Sequence, residues 1–480
     1  MLYRPVSREW SDPWVVYEQS AYWLYYIERE GGVGVALRAC RSDDGIHWSE
    51  LGRVLERGEG ARDLSGGSVW RAPTYERDGR LLLAFTEQRG SVPTRMTPAV
   101  HLAESTDLTR WRRLGPEYTF RPDRHWYRAE GVDARWHDFC TLPRGAGGRY
   151  GYWSADPLEE EPGIGFGTSL DCCHWRALPP PRVDWAGLAA PPSLRVAGAA
   201  HAAGRYLAFV EGGRRSRQER CVYLLTAQEP GGPFAPAPRN AQVLATSAPG
   251  NAGLGLRTVE FGGDVLVSHV ATTCRGEAWL APLKGLRVGD DGSAWLTYWP
   301  GNDALCGERL AVALEPAMQS PEGMRAALLD RRLEADGGIL LEGRWTGLPT
   351  QVSDAFLGGG LYVETEEGSG EGILVPMVGQ ALAGPMRAGG ATLRLEDAVD
   401  RELPYRETAA FRLLLRGELV ELYLDDVLMC SMGRPGPATG RLGLVTAGRT
   451  AAEEVRAYGL ARESDGGWPA SSAERPSEHA

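Results

Sequence analysis

Apolar strands and polar turns alternate along the first two thirds of the chain with a period of about sixty residues. Each repeat reads as an apolar stretch, a Ser-Asp-like turn and an aromatic residue. The closing aromatic residues are Trp48, Trp111, Trp175 and Phe234, which are 63, 64 and 59 residues apart, with Trp295 a further 61 residues on. A fixed period of this length indicates one supersecondary unit stacked repeatedly. Because the unit is built of strands, the pattern predicts a five-bladed β-propeller around a central channel, over residues 1–303.

The rhythm changes after residue 303. We expect a connector over 304–319, a second set of strands over 320–463, and a disordered tail over 464–480, where Ser, Pro, Gly and charged residues dominate. Residues 411–427 read as two alternating strands around a tight Gly turn. The chain is therefore predicted to be all-β, with the propeller followed by a C-terminal β-sandwich of jelly-roll type.

Composition narrows the classes of function. The 62 Gly, 32 Pro and 16 Trp are typical of many short strands and turns, and helical periodicity is hard to find. A net charge of −11 with no basic stripe argues against a nucleic-acid partner. There is no run of 18 apolar residues, and the first residues lack the apolar region of a signal peptide. We therefore expect no membrane partner and a cytoplasmic location.

The eight cysteines show neither CxxC nor Cys/His metal spacing, and they are expected to be reduced. No set of ligands in the sequence predicts a metal ion, and no cofactor is expected.

Several segments carry a resemblance to a known family. Trp10-Ser11-Asp12-Pro13 looks like an Asn-Asp-Pro motif, residues 64–69 with 78–86 look like a Ser-Gly-Ser signature and the strand behind it, 42–48 match a habitual blade turn, and 411–427 resemble a closing sandwich hairpin. Together they resemble glycoside hydrolase family 32, the invertase and levanase family, which is related to family 43. The resemblance implies a glycosidase that hydrolyses or transfers the glycosyl group of a small oligosaccharide, a fructoside or another furanoside.

The chemistry points to the channel mouth. Glycoside hydrolysis needs two carboxyls, one on each side of the scissile bond. In a propeller the first residues of the innermost strands surround that mouth, and Asp12 lies at this corner of the first blade, before Pro13, which fixes the backbone entering the strand. Asp12 is the candidate nucleophile, as the resemblance also implies. The alternative is that it caps a turn, as Asp before Pro often does.

A second carboxylate is expected at the corner of the third blade, where the family has an Arg-Asp-Pro motif whose Asp stabilises the transition state. Counting back from the strand aromatic Trp136 places Glu130 near the corner, and Asp133 is the alternative. Arg128 is placed to pair with a carboxylate or with two sugar hydroxyls. The competing interpretation is a surface ion-pair network of Arg128, Glu130 and Arg135.

The fourth blade departs from the family, which carries its general acid there in a Glu-Cys-Pro or Glu-Ala-Pro motif. The chain reads Leu-Ala-Ala-Pro-Pro-Ser-Leu over 188–194, so Ala189 or Ala190 stands in place of the carboxylate. The candidates for a substitute proton donor are Glu211, His125, His137 and Asp184. Glu211, which follows the strand over 206–210, is also a candidate for sugar binding.

Aromatic side chains near the same corners are candidate platforms for a sugar ring. They are Trp10, Trp14, Trp70, Trp126 and Trp136, although core packing between blades is expected for at least three of them. The missing carboxylate leaves two other functions open: a non-catalytic carbohydrate-binding protein on a glycosidase scaffold, and a propeller polysaccharide lyase. The sandwich is expected to brace the propeller, and either to extend the sugar cleft or to mediate self-association as a homo-oligomer.

Overall fold

The computed structural model of the chain describes residues 3–7, 9–72, 79–89, 97–130, 134–145, 147–159, 163–192, 194–213, 220–246, 254–272, 277–319, 323–333, 338–348, 358–376, 381–387, 390–392, 394–397, 406–433 and 440–460. Strands dominate this part of the chain, and its helical elements are two short 3₁₀ turns, Pro116–Tyr118 and Pro300–Leu305. None of the helical segments described is long and apolar enough to cross a bilayer.

Antiparallel sheets form the five blades of a β-propeller, and in each of the first three the strands pair in chain order. The first blade comprises β1 (Trp10–Glu18), β2 (Ala21–Glu30), β3 (Val33–Ser42) and β4 (Ser49–Glu56). The second comprises β5 (Asp63–Arg71), β6 (Leu81–Arg89), β7 (Thr97–Ser105) and β8 (Arg112–Arg113). The third comprises β9 (Trp136–Arg144), β10 (Gly148–Ala155), β11 (Gly163–Ser169) and β12 (Arg176–Leu178).

The last two blades are less regular. The fourth comprises β13 (Leu194–Ala202), β14 (Arg205–Gly213), β15 (Arg220–Ala227), β16 (Ala235–Pro236) and β17 (Gln242–Thr246), of which β16 and β17 both pair with β15. The fifth comprises β18 (Arg257–Phe261), β19 (Asp264–Ser268), a separate pair β20 (Val270–Thr272) and β21 (Ala278–Leu280), then β22 (Lys284–Val288) and β23 (Ala294–Tyr298).

The innermost strands β1, β5, β9, β13 and β18 contact one another in that order, and β18 contacts β1. This ring closes the propeller around the channel, so the first residues of five strands meet at one mouth. Polar residues far apart in sequence are thereby brought together.

The repeated Ser-Asp turn owes its recurrence to one hydrogen-bond pattern. In the first blade, Asp44 Oδ1 accepts from the hydroxyl of Ser42 at 2.9 Å and from the backbone N–H groups of Ile46 and His47, both at 2.8 Å. Asp107 and Asp171 make the corresponding contacts in the second and third blades. The carboxylate thus satisfies backbone donors that the sheet leaves unpaired, which explains why an Asp recurs at this turn in the first three blades.

Large aromatic side chains fill the space between blades. Trp136 and Trp153 are fully buried with ring centroids 4.7 Å apart, and Trp70 lies edge-on to Trp175 at 5.9 Å. These rings belong to the core that joins the second blade to the third. Apolar contact of this kind helps to hold neighbouring blades together.

Two sheets form the C-terminal β-sandwich. The remaining strands are β24 (Cys306–Leu310), β25 (Leu314–Gln319), β26 (Met324–Leu333), β27 (Gly338–Thr346), β28 (Gly358–Glu366), β29 (Ser369–Pro376), β30 (Ala381–Arg387), β31 (Gly390–Ala391), β32 (Arg394–Asp397), β33 (Thr408–Arg416), β34 (Leu419–Leu424), β35 (Val427–Gly433), β36 (Gly440–Ala447) and β37 (Ala451–Leu460). One sheet has the order β35-β34-β33-β27-β37-β24, and the other β25-β26-β36-β28-β29-β30-β31 with β32 also on β30.

The boundary between propeller and sandwich is less sharp than the sequence suggests. Strand β23 of the fifth blade pairs with β35, so one sheet runs from the propeller into the sandwich. The segment expected to be a connector, 304–319, contributes β24 and β25, one to each sandwich sheet. The expected tail, 464–480, lies outside the described residues.

Candidate functional site

A cavity of about 780 Å³ opens at the mouth where the innermost strands begin. Its volume lies in the range of small-molecule sites, about 300–1,000 Å³. Its charged lining consists of the carboxylates Asp12, Asp63 and Glu211, the arginines Arg29, Arg135, Arg195, Arg220 and Arg257, and His137. All five blades contribute to the wall, so the site exists only in the closed propeller.

Asp12 is held at a break in the first strand. The pairing of β1 with β2 shifts between Ser11 and Trp14, and Asp12 has a φ of 48°, in the left-handed region. This bulge turns the carboxylate into the cavity, where Oδ2 accepts from the hydroxyl of Ser11 at 3.3 Å and from the N–H of Gly66 at 3.5 Å. Strained backbone of this kind persists where the surroundings enforce it.

Asp138 occupies the equivalent place in the third blade. The pairing of β9 with β10 shifts next to it, and its φ is 59°. Its carboxylate is buried and accepts from Arg195 at 2.9 Å, from Arg257 at 3.2 Å and from the hydroxyl of Ser154 at 2.7 Å. Burial alone would raise the pKa of Asp138, but the charges of Arg195, His137 and Arg257 outweigh it and hold the pKa well below its ordinary value.

Arg195 connects the two aspartates. Its Nη2 lies 2.9 Å from Asp138 Oδ1 and 3.7 Å from Asp12 Oδ1. The attraction of Asp138, partly opposed by burial, raises the pKa of Arg195 further, so the guanidinium stays charged. A fixed positive charge therefore stands beside Asp12 at the centre of the cavity.

Glu211 reaches the same cavity from the second strand of the fourth blade. It lies opposite Arg195 in the pairing of β13 with β14, and its Oε1 accepts from Arg220 at 3.0 Å. Asp12 and Glu211 thus face one space from different blades, and Arg195 lies against both. The arrangement offers two carboxylates and several cationic donors to a polar ligand.

The structure does not bring Glu130, the first choice for the second carboxylate, to this cavity. Glu130 is absent from the lining, its side chain is 50% exposed, and it pairs with Arg124 at 2.5 Å. Arg128 is also exposed and outside the lining. Asp133 lies outside the described residues. The physical reason is register: Trp136 is the first residue of its strand, as Trp10 is in the first blade, so Glu130 precedes the strand by six residues.

Of the aromatic candidates, Trp10 alone lines the cavity, where it lies edge-on to Tyr26 at 6.2 Å. Trp14, Trp70 and Trp136 are buried between or within blades, and the indole N–H of Trp136 donates to Phe120. Trp126 is exposed but does not line the cavity. Core packing thus accounts for three of the five, as the sequence analysis expected.

The remaining candidates for the proton donor differ in whether they line the cavity. His137 lines the cavity and contacts Asp138 through Nδ1 at 2.7 Å, whereas His125 and Asp184 are exposed residues outside the lining. Ala189 and Ala190 are exposed and precede β13, so they do not occupy a position in the cavity. The residues of β13 that face it are Arg195, Val196 and Ala197. The position at which the resemblance implies a carboxylate therefore lies on β13, and not at Ala189 or Ala190.

Sequence reasoning missed Asp138 and the arginines. Asp138 carried a signal, because Trp136-His137-Asp138 repeats the Trp-x-Asp order of Trp10-Ser11-Asp12 at a spacing of 126 residues, close to the 127 between the turn residues Trp48 and Trp175. The arginines carried none, since they lie on different blades. No group of three or more metal-ligating His, Cys, Asp or Glu side chains occurs in the part of the chain that the structure describes.

Neither a protein-family model nor a curated protein sequence matches the chain. Solved structures do. An exo-inulinase from Aspergillus awamori superposes with a TM-score of 0.67 at 12% identity, over 96% of this chain and 98% of that one. The sucrose-6-phosphate hydrolase of Lactobacillus gasseri (0.65, 12%, 95% and 91%) and a Bombyx mori GH32 β-fructofuranosidase (0.65, 14%, 96% and 93%) are also similar. The fold of the chain is therefore like that of glycoside hydrolase family 32.

Proposed function

We propose that the protein hydrolyses or transfers the glycosyl group of a fructoside or another furanoside in the cavity around Asp12. The observation that carries the proposal is that Asp12 and Glu211 face one cavity from different blades. Glycoside hydrolysis requires two carboxyls around one sugar site. Structures of similar fold support the choice of sugar, since they include complexes with sucrose, fructosyl-erythritol and fructosylnystose. From the sequence we add a cytoplasmic location and a small oligosaccharide as substrate.

In this proposal Asp12 acts as nucleophile or base at the anomeric carbon. Its carboxylate is aimed by the bulge and by the N–H of Gly66. Glu211 protonates the leaving-group oxygen as the bond from that oxygen to the anomeric carbon breaks, which requires that this oxygen replace Arg220 as the partner of Glu211 in the bound state. The Glu211 carboxylate then takes a proton from the water or acceptor hydroxyl that attacks the anomeric carbon, and this attack releases the sugar and restores both carboxyls. Trp10 offers its ring at the edge of the cavity for the sugar.

A second candidate function is sugar binding without turnover. The observation that favours it is the position of Arg195, whose charge lies 3.7 Å from Asp12. The transition state of glycoside hydrolysis carries positive charge on the sugar ring, and a neighbouring cation opposes that charge unless the ligand compensates it. A polysaccharide lyase is the third candidate, with His137 as the base at the cavity.

The test is a screen of aryl furanosides, sucrose, fructans and arabino-oligosaccharides with the wild type, Asp12→Asn, Glu211→Gln and Glu130→Gln. We expect Asp12→Asn to lose turnover but still bind sugar. Glu211→Gln should lose about 10²- to 10⁴-fold on sucrose and much less on aryl furanosides, whose leaving groups need no proton. Glu130→Gln is the matched control and should resemble the wild type.

The outcomes separate the three functions. No turnover by any protein, with a melting temperature that rises on adding one sugar, would favour the binding protein. A product that absorbs in the ultraviolet as an unsaturated sugar would favour the lyase. Equal activity of Asp12→Asn and wild type would overturn the assignment of Asp12.

A further inference from the structure

Three arginines crowd one side of the cavity. Arg135 precedes β9, Arg195 lies on β13 and Arg220 begins β15, and all three line the cavity. We call them the arginine cluster. Arg135 Nη1 donates to the backbone oxygen of Leu194 at 3.0 Å, and Arg220 pairs with Glu211, which lies opposite Arg195. The three side chains are therefore neighbours at the junction of the third and fourth blades.

Buried or partly buried carboxylates hold the cluster in place. Arg195 uses Nε and Nη2 on Asp138, and Arg135 Nε lies 3.7 Å from Asp156, which also accepts from the backbone N–H of Arg135. These contacts engage only part of each planar five-donor guanidinium. Among the residues described, none accepts a hydrogen bond from Nη1 of Arg195 or Nη2 of Arg135. Arg135 and Arg195 are thus preorganised, each with a donor group left for a ligand.

The cluster is open to a ligand. The side chains of Arg195, Arg220 and Arg135 are 38%, 29% and 22% exposed, and all three line the cavity. The adjoining wall is formed by Gly212 and Gly213, which present no side chain. The cavity they line measures about 780 Å³, which is large enough for a sugar that carries a phosphate or carboxylate.

The charge of the lining favours an anion. Five arginines and three carboxylates line the cavity, so arginines outnumber carboxylates at its surface. Two further carboxylates, Asp138 and Asp156, contact Arg195 and Arg135 from outside the lining. Planar guanidinium forks match the oxygens of a carboxylate or phosphate, and the paired bonds add energy and geometric specificity that a single hydroxyl does not provide. A neutral sugar would leave this capacity unused.

We infer that the ligand of this cavity carries an anionic group, a phosphate ester or a carboxylate, that is bound by Arg135, Arg195 and Arg220. The inference rests on the proposed function for the sugar part of the ligand. It also answers the objection raised by Arg195, because a bound anion compensates its charge beside Asp12. The anion belongs either to the sugar or to a separate oxyanion that binds with it.

The experiment is calorimetric titration of the full chain, at one ionic strength, with fructose 6-phosphate, glucuronate, inorganic phosphate and fructose. The variants are Arg135→Gln and Arg220→Gln, and the control is Arg110→Gln, whose side chain is 92% exposed on another turn. Arg195 is left intact because it also contacts Asp138 and Asp12, so its loss would disturb more than the anion site. Constant ionic strength keeps screening equal across the ligands.

We expect an anionic sugar to bind at least about tenfold more tightly than fructose, and each cluster variant to weaken that binding by about 10- to 100-fold. Fructose 6-phosphate or glucuronate binding more tightly than inorganic phosphate would place the anion on the sugar. Inorganic phosphate binding as well as either would identify a separate oxyanion. Equal binding of neutral and anionic ligands, or a gain that survives both cluster variants, would overturn the inference.

Failure here is distinguishable from failure of the proposed function. Anion binding that depends on the cluster without any turnover would leave this inference standing and remove the enzyme. Turnover of neutral furanosides that depends on Asp12, without any preference for anions, would do the reverse.

Discussion

Arg195 joins Asp12 of the first blade to Asp138 of the third, with Nη2 at 3.7 Å from one carboxylate and 2.9 Å from the other. The two aspartates lie on equivalent bulges, yet only Asp12 lines the cavity. Asp138 serves instead as the buried counter-charge that fixes Arg195 and Arg257. Asp12 is thus available to a ligand, whereas Asp138 holds an arginine in place.

Replacing Asp138 by Asn tests that role. The side chain would keep its shape but leave Arg195 and Arg257 without their shared counter-charge, and we expect a loss of about 3–5 kcal/mol in the free energy of unfolding. The measurement is chemical denaturation at neutral pH. Asp156→Asn is the comparison, because its 3.7 Å contact with Arg135 is looser and should cost less. A stability of Asp138→Asn within about 1 kcal/mol of wild type would contradict the assignment.

Gly66 is predicted to position Asp12. A Cβ at residue 66 would stand 2.8 Å from both the Asp12 Cβ and the ring of Trp14. We expect Gly66→Ala to push the carboxylate out of place and lower the turnover of any furanoside substrate by about tenfold or more, since small misplacements of reacting groups are costly. Steady-state kinetics would measure it.

Gly145→Ala is the matched control for this change. A Cβ at residue 145 meets nothing within 4 Å, and its φ is not in the left-handed region. Both variants should remain folded by circular dichroism. If Gly66→Ala had full activity, the close approach to Asp12 would have no functional meaning.

The repeated turns predict a specific acid response. Hydrogen bonds from the His174 and Cys173 N–H groups and from the His174 and Ser169 side chains outweigh burial and lower the pKa of Asp171 to about 2. Because the folded-state pKa lies below the unfolded value of 3.8, the contribution of Asp171 to stability is present above pH 3.8 and is lost as the pH falls towards 2.

Asp171→Asn should therefore flatten the fall in melting temperature between pH 4 and pH 2. Asp171→Ala should cost more at neutral pH than Asp171→Asn, because an amide oxygen still accepts from the backbone, by about 1 kcal/mol per lost bond. If both variants had the same melting temperature as wild type at every pH, the turn would not depend on this side chain.

The fold followed from the sequence, and the site followed only in part. The spacing of Trp48, Trp111 and Trp175 predicted a propeller, the alternating strands over 411–427 predicted a sandwich, and both are confirmed. Such a period is a local property of each blade, so it can be read along the chain. Asp12 could be placed because it is the third residue of the first innermost strand.

The rest of the site depends on register between blades. The choice of Glu130 depends on equating Trp136 with Tyr17, which is the last residue but one of β1, whereas Trp136 is the first residue of β9. That shift of a few residues moved the expected carboxylate from the cavity into a loop. The arginine cluster could not be foreseen, because its members meet only when the third and fourth blades pack together.

The junction between propeller and sandwich contains a buried ion pair. Lys284 Nζ lies 2.5 Å from Glu421 Oε1, and Tyr423 and Ser431 also donate to the Glu421 carboxylate, at 2.6 and 2.9 Å. Both charged side chains are almost wholly buried. Burial would raise the pKa of Glu421, but Lys284 and His269 lower it well below its ordinary value.

Glu421→Gln should therefore destabilise the protein by about 3–5 kcal/mol at neutral pH, because Lys284 would remain buried without a counter-charge. The double variant Lys284→Met with Glu421→Leu should recover most of that loss, since an apolar pair of similar volume needs no compensation. The exposed pair Arg441–Glu315, at 3.1 Å, gives the control, and Glu315→Gln should cost less than about 1 kcal/mol. Denaturation of the four proteins in urea measures all of these differences.

The same pair predicts how stability depends on pH. The folded-state pKa of Glu421 lies below its ordinary value of 4.5, so the unfolded chain takes up the proton first. Its stabilising contribution is present above pH 4.5 and is lost as the pH falls below that value. The difference in unfolding free energy between wild type and Glu421→Gln should thus shrink on acidification. If that difference in unfolding free energy stayed constant from pH 7 down to pH 3, the charge of Glu421 would not contribute to the stability of this junction.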